Sequence, residues 1–439
     1  MAENILTEFD GFFFLGLGGV SMSALAEILY KSGKKVGGYD REESEYTARL
    51  AGAGIPVWYS LDCRIDDYEV IVYTDALQEN NPLIMRARRL NKTLVSRGKL
   101  LYEISSTFKK TVAVAGCHGK TTCTAMLAHI FDAAGAAFSA HIGGNDSKFN
   151  NAYLNGYDYF VTEACEYKKN FLYLKPDVAV ILNTDADHLD CYGTAKNLKK
   201  AYLQFAESAE STVKLYGDLP ECVGATFGFD DRADYYAKRI RSANGKFSFD
   251  AYEGTNLLGG IALSSYGKHN VLNALAATAA ARRCGIEFRH IAEGLKSFRG
   301  VKRRFEEIGS YNGAVCIADY AHHPNEIKAA VKTARLITEG ELFVVFQPHT
   351  YSRTKTLFKQ FVLVLSSIKK LLIFKTFAAR EYYDDAGSAL TLSGAVKRSL
   401  YGGCETDIEN FLKAATRGDT VLFLGAGDIY DVARGIVRE

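Results

Sequence analysis

The sequence predicts an α/β protein of three domains, each built on a mainly parallel sheet covered by helices. Three observations predict it. One arrangement recurs three times along the chain: a short apolar run, a glycine-rich turn, then a helical pattern. The apolar runs are continuous and not alternating, as in strands buried on both faces. The length of 439 residues corresponds to about three domains at roughly 150 residues each.

The first repeat is Gly11-Phe-Phe-Phe-Leu15, then Gly16-Leu-Gly-Gly19, then a helix over 21–32. The second is Thr111-Val-Ala-Val-Ala115, then Gly116-Cys-His-Gly119, then a helix over 120–133. The third is Thr420-Val-Leu-Phe-Leu424, then Gly425-Ala-Gly427, then a helix over 428–437. Each glycine turn therefore falls at the carboxyl end of a strand, where open α/β sheets bind ligands. Further strands are expected at 69–73, 157–162, 178–182, 314–318, 342–346 and 371–374. Helical spacing of apolar residues marks 271–283 and 325–337. Boundaries before the second glycine loop and before Val301-Lys-Arg-Arg-Phe305 divide the chain into 1–107, 108–300 and 301–439.

Composition narrows the function. Lys plus Arg number 53 against 51 Asp plus Glu, a formal net charge of +2. That balance argues against a protein that coats nucleic acid or an anionic membrane. The basic run Arg86, Arg88, Arg89, Lys92, Arg97 and Lys99 has no interleaved aromatics and reads as a solvated face. The apolar stretch from Phe12 is preceded by Glu3, Glu8 and Asp10 and interrupted by Glu27, so neither a secretory signal nor a membrane span is expected. Nine cysteines without a CxxC pair fit reduced thiols in the cytoplasm.

The glycine loops carry the chemistry. Gly16, Gly18 and Gly19 resemble a dinucleotide fingerprint, with Ser21 where its third glycine falls. Asp40, about 20 residues on, could accept a ribose or nucleoside hydroxyl. In Gly116-Cys117-His118-Gly119-Lys120-Thr121-Thr122, backbone donors can wrap phosphates, Lys120 can neutralise them, and a threonine hydroxyl can reach Mg²⁺. Only two residues separate the glycines, fewer than in the usual phosphate loop. Carboxylates and an imidazole follow at strand ends, in Glu163-Ala-Cys-Glu166 and Asn183-Thr-Asp-Ala-Asp-His188. Such oxygens suit Mg²⁺ beside a phosphate.

These motifs, with Gly267-Lys-His-Asn-Val-Leu-Asn273, Phe298-Arg-Gly-Val-Lys-Arg-Arg-Phe305, Asp319-Tyr-Ala-His-His-Pro324, Phe346-Gln-Pro-His-Thr-Tyr-Ser-Arg353 and Leu424-Gly-Ala-Gly-Asp428, resemble the muramate-peptide amide ligases from about residue 12 to 434. The resemblance implies a Rossmann-like N-terminal domain, a central phosphate-loop ATP-binding domain and a Rossmann-like C-terminal domain. It implies ATP and Mg²⁺, and amide formation between the lactoyl carboxylate of UDP-N-acetylmuramate and L-alanine. It places Gly16, Gly18, Gly19, Val20, Asp40 and Thr74 on the sugar nucleotide. It gives ATP the loop 116–122 with Asn270, Asn273, Arg304 and Asp319. Thr121, Glu163 and His188 become Mg²⁺ ligands. Lys120 is expected to stabilise the moving phosphoryl group, and His323 and Arg353 to act at the reaction centre. Tyr320, His322, His349 and Arg353 line the amino-acid pocket.

Two departures stand out: Thr350 where many members carry Arg, and Cys165 with Lys168 in the acidic motif. Cys117 and Cys165 are expected to make the enzyme sensitive to thiol alkylation, with MgATP protecting. The sequence leaves two other readings, a ligase that attaches a ready-made murein peptide to the same sugar nucleotide and a nicotinamide-dependent oxidoreductase. The second leaves the 116–122 loop unexplained.

Overall fold

Continuous apolar runs become the central strands of three sheets in the computed structural model, which describes residues 4–185, 189–379 and 381–437. The chain divides into two units. Unit one comprises 1–239, 249–262 and 272–299, and unit two 240–248, 263–271 and 300–439.

In unit one the first sheet holds β1 (Gly11–Leu15), β2 (Lys35–Tyr39), β3 (Val57–Trp58), β4 (Val70–Tyr73) and β5 (Thr93–Ser96), in the order β3-β2-β1-β4-β5. All its pairings are parallel. All five residues of β1 are buried. Phe12 and Phe14 join one apolar core, Phe13 and Leu15 another on the opposite face. The two-residue period of a strand supplies both faces, which is why no polar residue interrupts the run. The order reverses at β1, so the ends of β1 and β4 open the crevice where such sheets take ligands.

The second sheet contains β6 (Lys110–Ala115), β7 (Phe138–Asp146), β8 (Asn150–Leu154), β9 (Tyr159–Glu163), β10 (Val178–Ile181), β11 (Ser211–Leu215), β12 (Ala225–Gly228), β13 (Tyr235–Ala243), β14 (Lys246–Glu253) and β15 (Asn256–Tyr266). Its order is β15-β14-β13-β12-β11-β10-β6-β9-β7-β8. The phosphate-loop strand β6 lies between β9 and β10, parallel to both. That placement sets Glu163 beside Val114 and Ile181 beside Ala115. One apolar core runs from Phe12 and Val72 of the first sheet to Ala113, Phe160 and Ile181 of the second.

In unit two β16 (Glu306–Tyr311), β17 (Ala314–Asp319), β18 (Leu342–Phe346), β19 (Lys370–Phe374), β20 (Ser399–Gly402) and β21 (Thr420–Leu424) pair in the order β16-β17-β21-β18-β19-β20. Only β16 is antiparallel to its neighbour. Leu422 and Leu424 face one core while Val421 and Phe423 face another. Among the described residues no helix is long and apolar enough to cross a membrane.

Candidate active site

The first glycine loop is braced from within. Gly16 and Leu17 donate their N–H groups to Tyr39 O at 2.8 and 3.1 Å, and Gly19 donates to Gly16 O at 3.2 Å. Gly18 N–H is taken by Asp40 Oδ2 at 2.7 Å, while Asp40 Oδ1 accepts from Arg41 N at 2.8 Å. A Cβ on Gly18 would lie 2.9 Å from that carboxylate, so a side chain here would displace Asp40. Asp40 thus holds the loop in shape. The helix Val20–Lys31 starts at Gly19 without a side-chain cap, which leaves its first-turn N–H groups to an anion. Thr74 packs its methyl on Gly16, 3.2 Å from where a Cβ would stand.

The second loop follows β6. Gly116 has φ +140° and Gly119 φ +85°, the latter opening the helix Lys120–Ala133. A Cβ on Gly119 would fall 2.6 Å from Asn273 Oδ1, which puts Asn273 against the loop. Asn183 clamps the turn from the end of β10, accepting from His118 N and donating to His118 O, both at 3.0 Å. Cys117 is buried, with its thiol on Asp185 O at 2.7 Å.

Lys120 is the electrostatic centre. Its side chain is 16% exposed and meets Glu166, 1% exposed, at 3.0 Å. Its ammonium also donates to Gly116 O at 2.5 Å. Burial opposes the charge, but Glu166, with Glu163, outweighs it and holds the ammonium above the usual lysine range. Lys120 is a permanent cation here and cannot act as a base. Glu163 ends β9 with Oε1 accepting from Gly143 N at 2.6 Å.

The oxygen donors Thr121 and Glu163 fit Mg²⁺, which takes few protein ligands and completes its shell with phosphate and water. His188, the remaining expected ligand, lies outside the described residues.

Unit two assembles its own cluster at the strand ends of β17 and β18. Asp319 accepts from Phe305 N and Ala321 N, both at 2.8 Å. Burial raises it to about 6 although Arg304 pulls the other way. Tyr320 lies under both Arg303 and Arg304, 5.0 and 5.1 Å from its ring centre. His322 and His349 face one another at 5.8 Å. Burial lowers both, His349 to about 4 with help from His322 and Arg353. Arg353 donates to His349 Nδ1 at 3.0 Å, which puts the imidazole proton on Nε2. His323 instead caps its own helix, Pro324–Arg335, its Nδ1 accepting from Asn325 N at 3.3 Å. Thr350 takes φ +67° at the start of the helix Tyr351–Thr356. Asn270 donates to Tyr266 O at 2.7 Å and so fixes the segment before its helix.

Residues 12–109 match the domain described as Mur ligase family, catalytic domain, 114–281 the Mur ligase middle domain, and 303–427 the Mur ligase, glutamate ligase domain. A UDP-N-acetylmuramate–L-alanine ligase of Clostridium acetobutylicum is 39% identical over 438 residues, 95% of each chain. The chain belongs to the Mur ligase family. A solved UDP-N-acetylmuramate–alanine ligase of Thermotoga maritima is 28% identical with a TM-score of 0.84, covering 97% of this chain and 98% of its own. A murein peptide ligase of Psychrobacter arcticus shares the fold at 21% identity and TM-score 0.74, over 97% of each chain.

The structure gathers Gly116, Cys117, His118, Gly119, Lys120, Thr121 and Thr122 with Asn273, and Glu163 on the adjoining strand. Two residues were absent from the expected set. Glu166 partners the loop lysine and Asn183 clamps the loop; both sit in motifs already singled out, three residues after Glu163 and first in the Asn183–His188 run.

Proposed function

We propose that the protein is an ATP-dependent ligase that joins L-alanine to the lactoyl carboxylate of UDP-N-acetylmuramate, a step in making peptidoglycan precursor. The observation that carries it is the buried Lys120–Glu166 pair inside a phosphate loop, with Glu163 on the neighbouring strand. That arrangement handles a phosphoryl group. The relation to alanine ligases over nearly the whole chain supplies the substrate class.

A carboxylate is a poor electrophile. Its oxygen attacks the γ-phosphorus of ATP, ADP leaves, and an acyl phosphate results. The amine of alanine then attacks the acyl carbon, gives up a proton, and phosphate departs. Lys120, a fixed cation, stabilises the negative charge on the transferring group. Bound Mg²⁺, held by Thr121 and Glu163, would neutralise charge on the phosphates. The uncapped helix after Gly19, beginning at Val20, receives the sugar nucleotide's pyrophosphate, with Asp40 keeping the loop in register and Thr74 beside it. Asn270, Arg304 and Asp319 serve ATP. Tyr320, His322, His349 and Arg353 serve the amino acid, Arg353 binding its carboxylate. With Thr350 in place of an arginine, that carboxylate has one guanidinium fewer. His323 acts through its helix cap. The domains are those at 1–107, 108–300 and 301–439, a reading supported by the three sheets.

The murein-peptide and oxidoreductase readings are not favoured. Phosphate release is measured with ATP, Mg²⁺ and UDP-N-acetylmuramate, adding L-alanine, glycine, L-serine or a tripeptide. Release requiring both sugar nucleotide and L-alanine is expected. Release with the tripeptide alone would reverse the assignment.

A further inference from the structure

Ser21 stands where the dinucleotide-type fingerprint has its third glycine, and the structure gives its hydroxyl two partners. It lies 2.9 Å from His141 Nε2 and receives an N–H from Arg97 at 3.3 Å. His141 is 2% exposed and makes its other ring contact, 2.9 Å, with Thr162 Oγ1. Thr162, fully buried, donates to Glu163 O at 3.1 Å.

The bond from Thr162 to Glu163 O selects one polarity. The Thr162 hydroxyl proton goes to Glu163 O, so its oxygen must accept from His141 Nδ1–H. His141 Nε2 is then bare and accepts the Ser21 hydroxyl proton, and the Ser21 oxygen accepts from Arg97. Burial, with Arg97 nearby, lowers His141 to about 3, so the imidazole is neutral and the polarity is kept near neutral pH. Arg97 is half-buried, makes no ion pair with a carboxylate among the described residues, and spends one of its N–H groups on Ser21. The others are left for an anion. The chain of bonds thus runs from the first turn of the uncapped helix after the first glycine loop to the peptide of Glu163.

We propose that Ser21 and His141 are positioning residues which hold Arg97 toward the anionic sugar nucleotide and tie that substrate's site to the strand bearing Glu163. The inference rests on the sugar-nucleotide reading of the first glycine loop and deepens it. A glycine at position 21 would leave Arg97 without its anchor and His141 Nε2 without a donor.

The test is a double-mutant cycle on the full-length enzyme, with steady-state kinetics and calorimetric binding of UDP-N-acetylmuramate. Ser21→Gly and His141→Leu are each expected to raise KM for the sugar nucleotide about five- to tenfold, the scale of one hydrogen bond. KM for ATP is expected to stay within about twofold. The double variant is expected to be no worse than the poorer single, because either break releases the same guanidinium. Ser21→Thr, which keeps the hydroxyl, is expected to behave as wild type, and Ser21→Ala repeats the test should Ser21→Gly fold poorly. Losses that multiply in the double variant, an equal rise in KM for ATP, or an unchanged sugar-nucleotide KM would each overturn the relay. Wild-type enzyme that binds no UDP-N-acetylmuramate would instead overturn the sugar-nucleotide reading, and the relay with it.

Discussion

At the scale of single residues, the site depends on what surrounds each charge. Lys120 keeps its proton because Glu166 is buried against it. Glu166→Gln removes the countercharge but keeps an acceptor, so the ammonium loses its fixed position. The expected outcome is a kcat lowered about 10- to 100-fold, the cost of a small misplacement at a reacting centre. The affinity for UDP-N-acetylmuramate should hold while the melting temperature falls, because the buried ammonium loses its countercharge; steady-state kinetics, calorimetric binding and a thermal melt will check all three. The thiols are less reactive than their loop positions suggest. Cys117 is buried on Asp185 O, and burial together with Glu166 pushes the Cys165 thiol up; a protonated thiol is a weak nucleophile. Cys404 is exposed. Iodoacetamide is therefore expected to label Cys404 first without loss of activity, and to reach Cys117 slowly, more slowly still with MgATP. Peptide mapping by mass spectrometry alongside the assay decides this, and early labelling of Cys117 would contradict it.

At the scale of elements, the phosphate-loop helix Lys120–Ala133 owes its place to the helix Phe288–Ser297. Gly294 lets the two backbones meet: a Cβ there would lie 2.5 Å from Ile130 Cα and 2.7 Å from His129 O. Backbone atoms cannot yield as a side chain can, so Gly294→Ala should cost about 1–3 kcal/mol, read as a lower urea midpoint. Beside this contact, the buried His129 bonds Oγ of the exposed Ser297 at 2.9 Å and pairs with the buried Asp146 of β7 at 3.1 Å. Asp146→Ala leaves that imidazole without its acceptor and should cost about 1–3 kcal/mol. These elements were legible in the sequence because their apolar runs and glycine turns are local signals; β6, β10, β17, β18 and β21 fall within a residue or two of their expected spans. The ribbon β13–β15 was missed because its strands bury mainly one face and are not continuous apolar runs, polar residues such as Arg239, Arg241 and Ser242 being exposed. Its local signals were the alternation of buried Phe247, Phe249 and Ala251 along β14 and Asn244-Gly245, both at positive φ (48° and 71°), the tight hairpin dipeptide. The phosphate loop could be read directly, whereas the pairing of Lys120 with Glu166 depends on β9 lying beside β6, a non-local fact. Asp40 stood out in the sequence by its spacing from the first glycine loop, but its hold on Gly18 required the turn geometry.

At the scale of the whole molecule, pH acts on buried histidines in the two units in the same direction. His141 in unit one and His349 in unit two fall from the ordinary 6.5 to about 3 and about 4, both mainly through burial. Their native forms are neutral, so between those values and 6.5 the unfolded chain binds the extra protons. Stability therefore falls as pH is lowered through 6.5. Asp319 has the opposite sign: raised from 3.8 to about 6, it costs stability above 6 and returns it as pH falls toward 3.8. That offset belongs to unit two, since Asp319 lies there. In unit one the loss attached to His141 is about 2 kcal/mol on going from pH 7 to pH 5, by the shift just given. Trp58, the single tryptophan of the chain, lies in unit one and reports on it by fluorescence. Urea titrations followed through Trp58 at pH 7 and pH 5 should show the wild type weakening on acidification. His141→Leu, with no imidazole to protonate, should weaken by about 2 kcal/mol less. Equal pH dependence in the two proteins would mean that His141 is protonated in the native state, and the bond polarity that runs from Ser21 to Glu163 would fail with it.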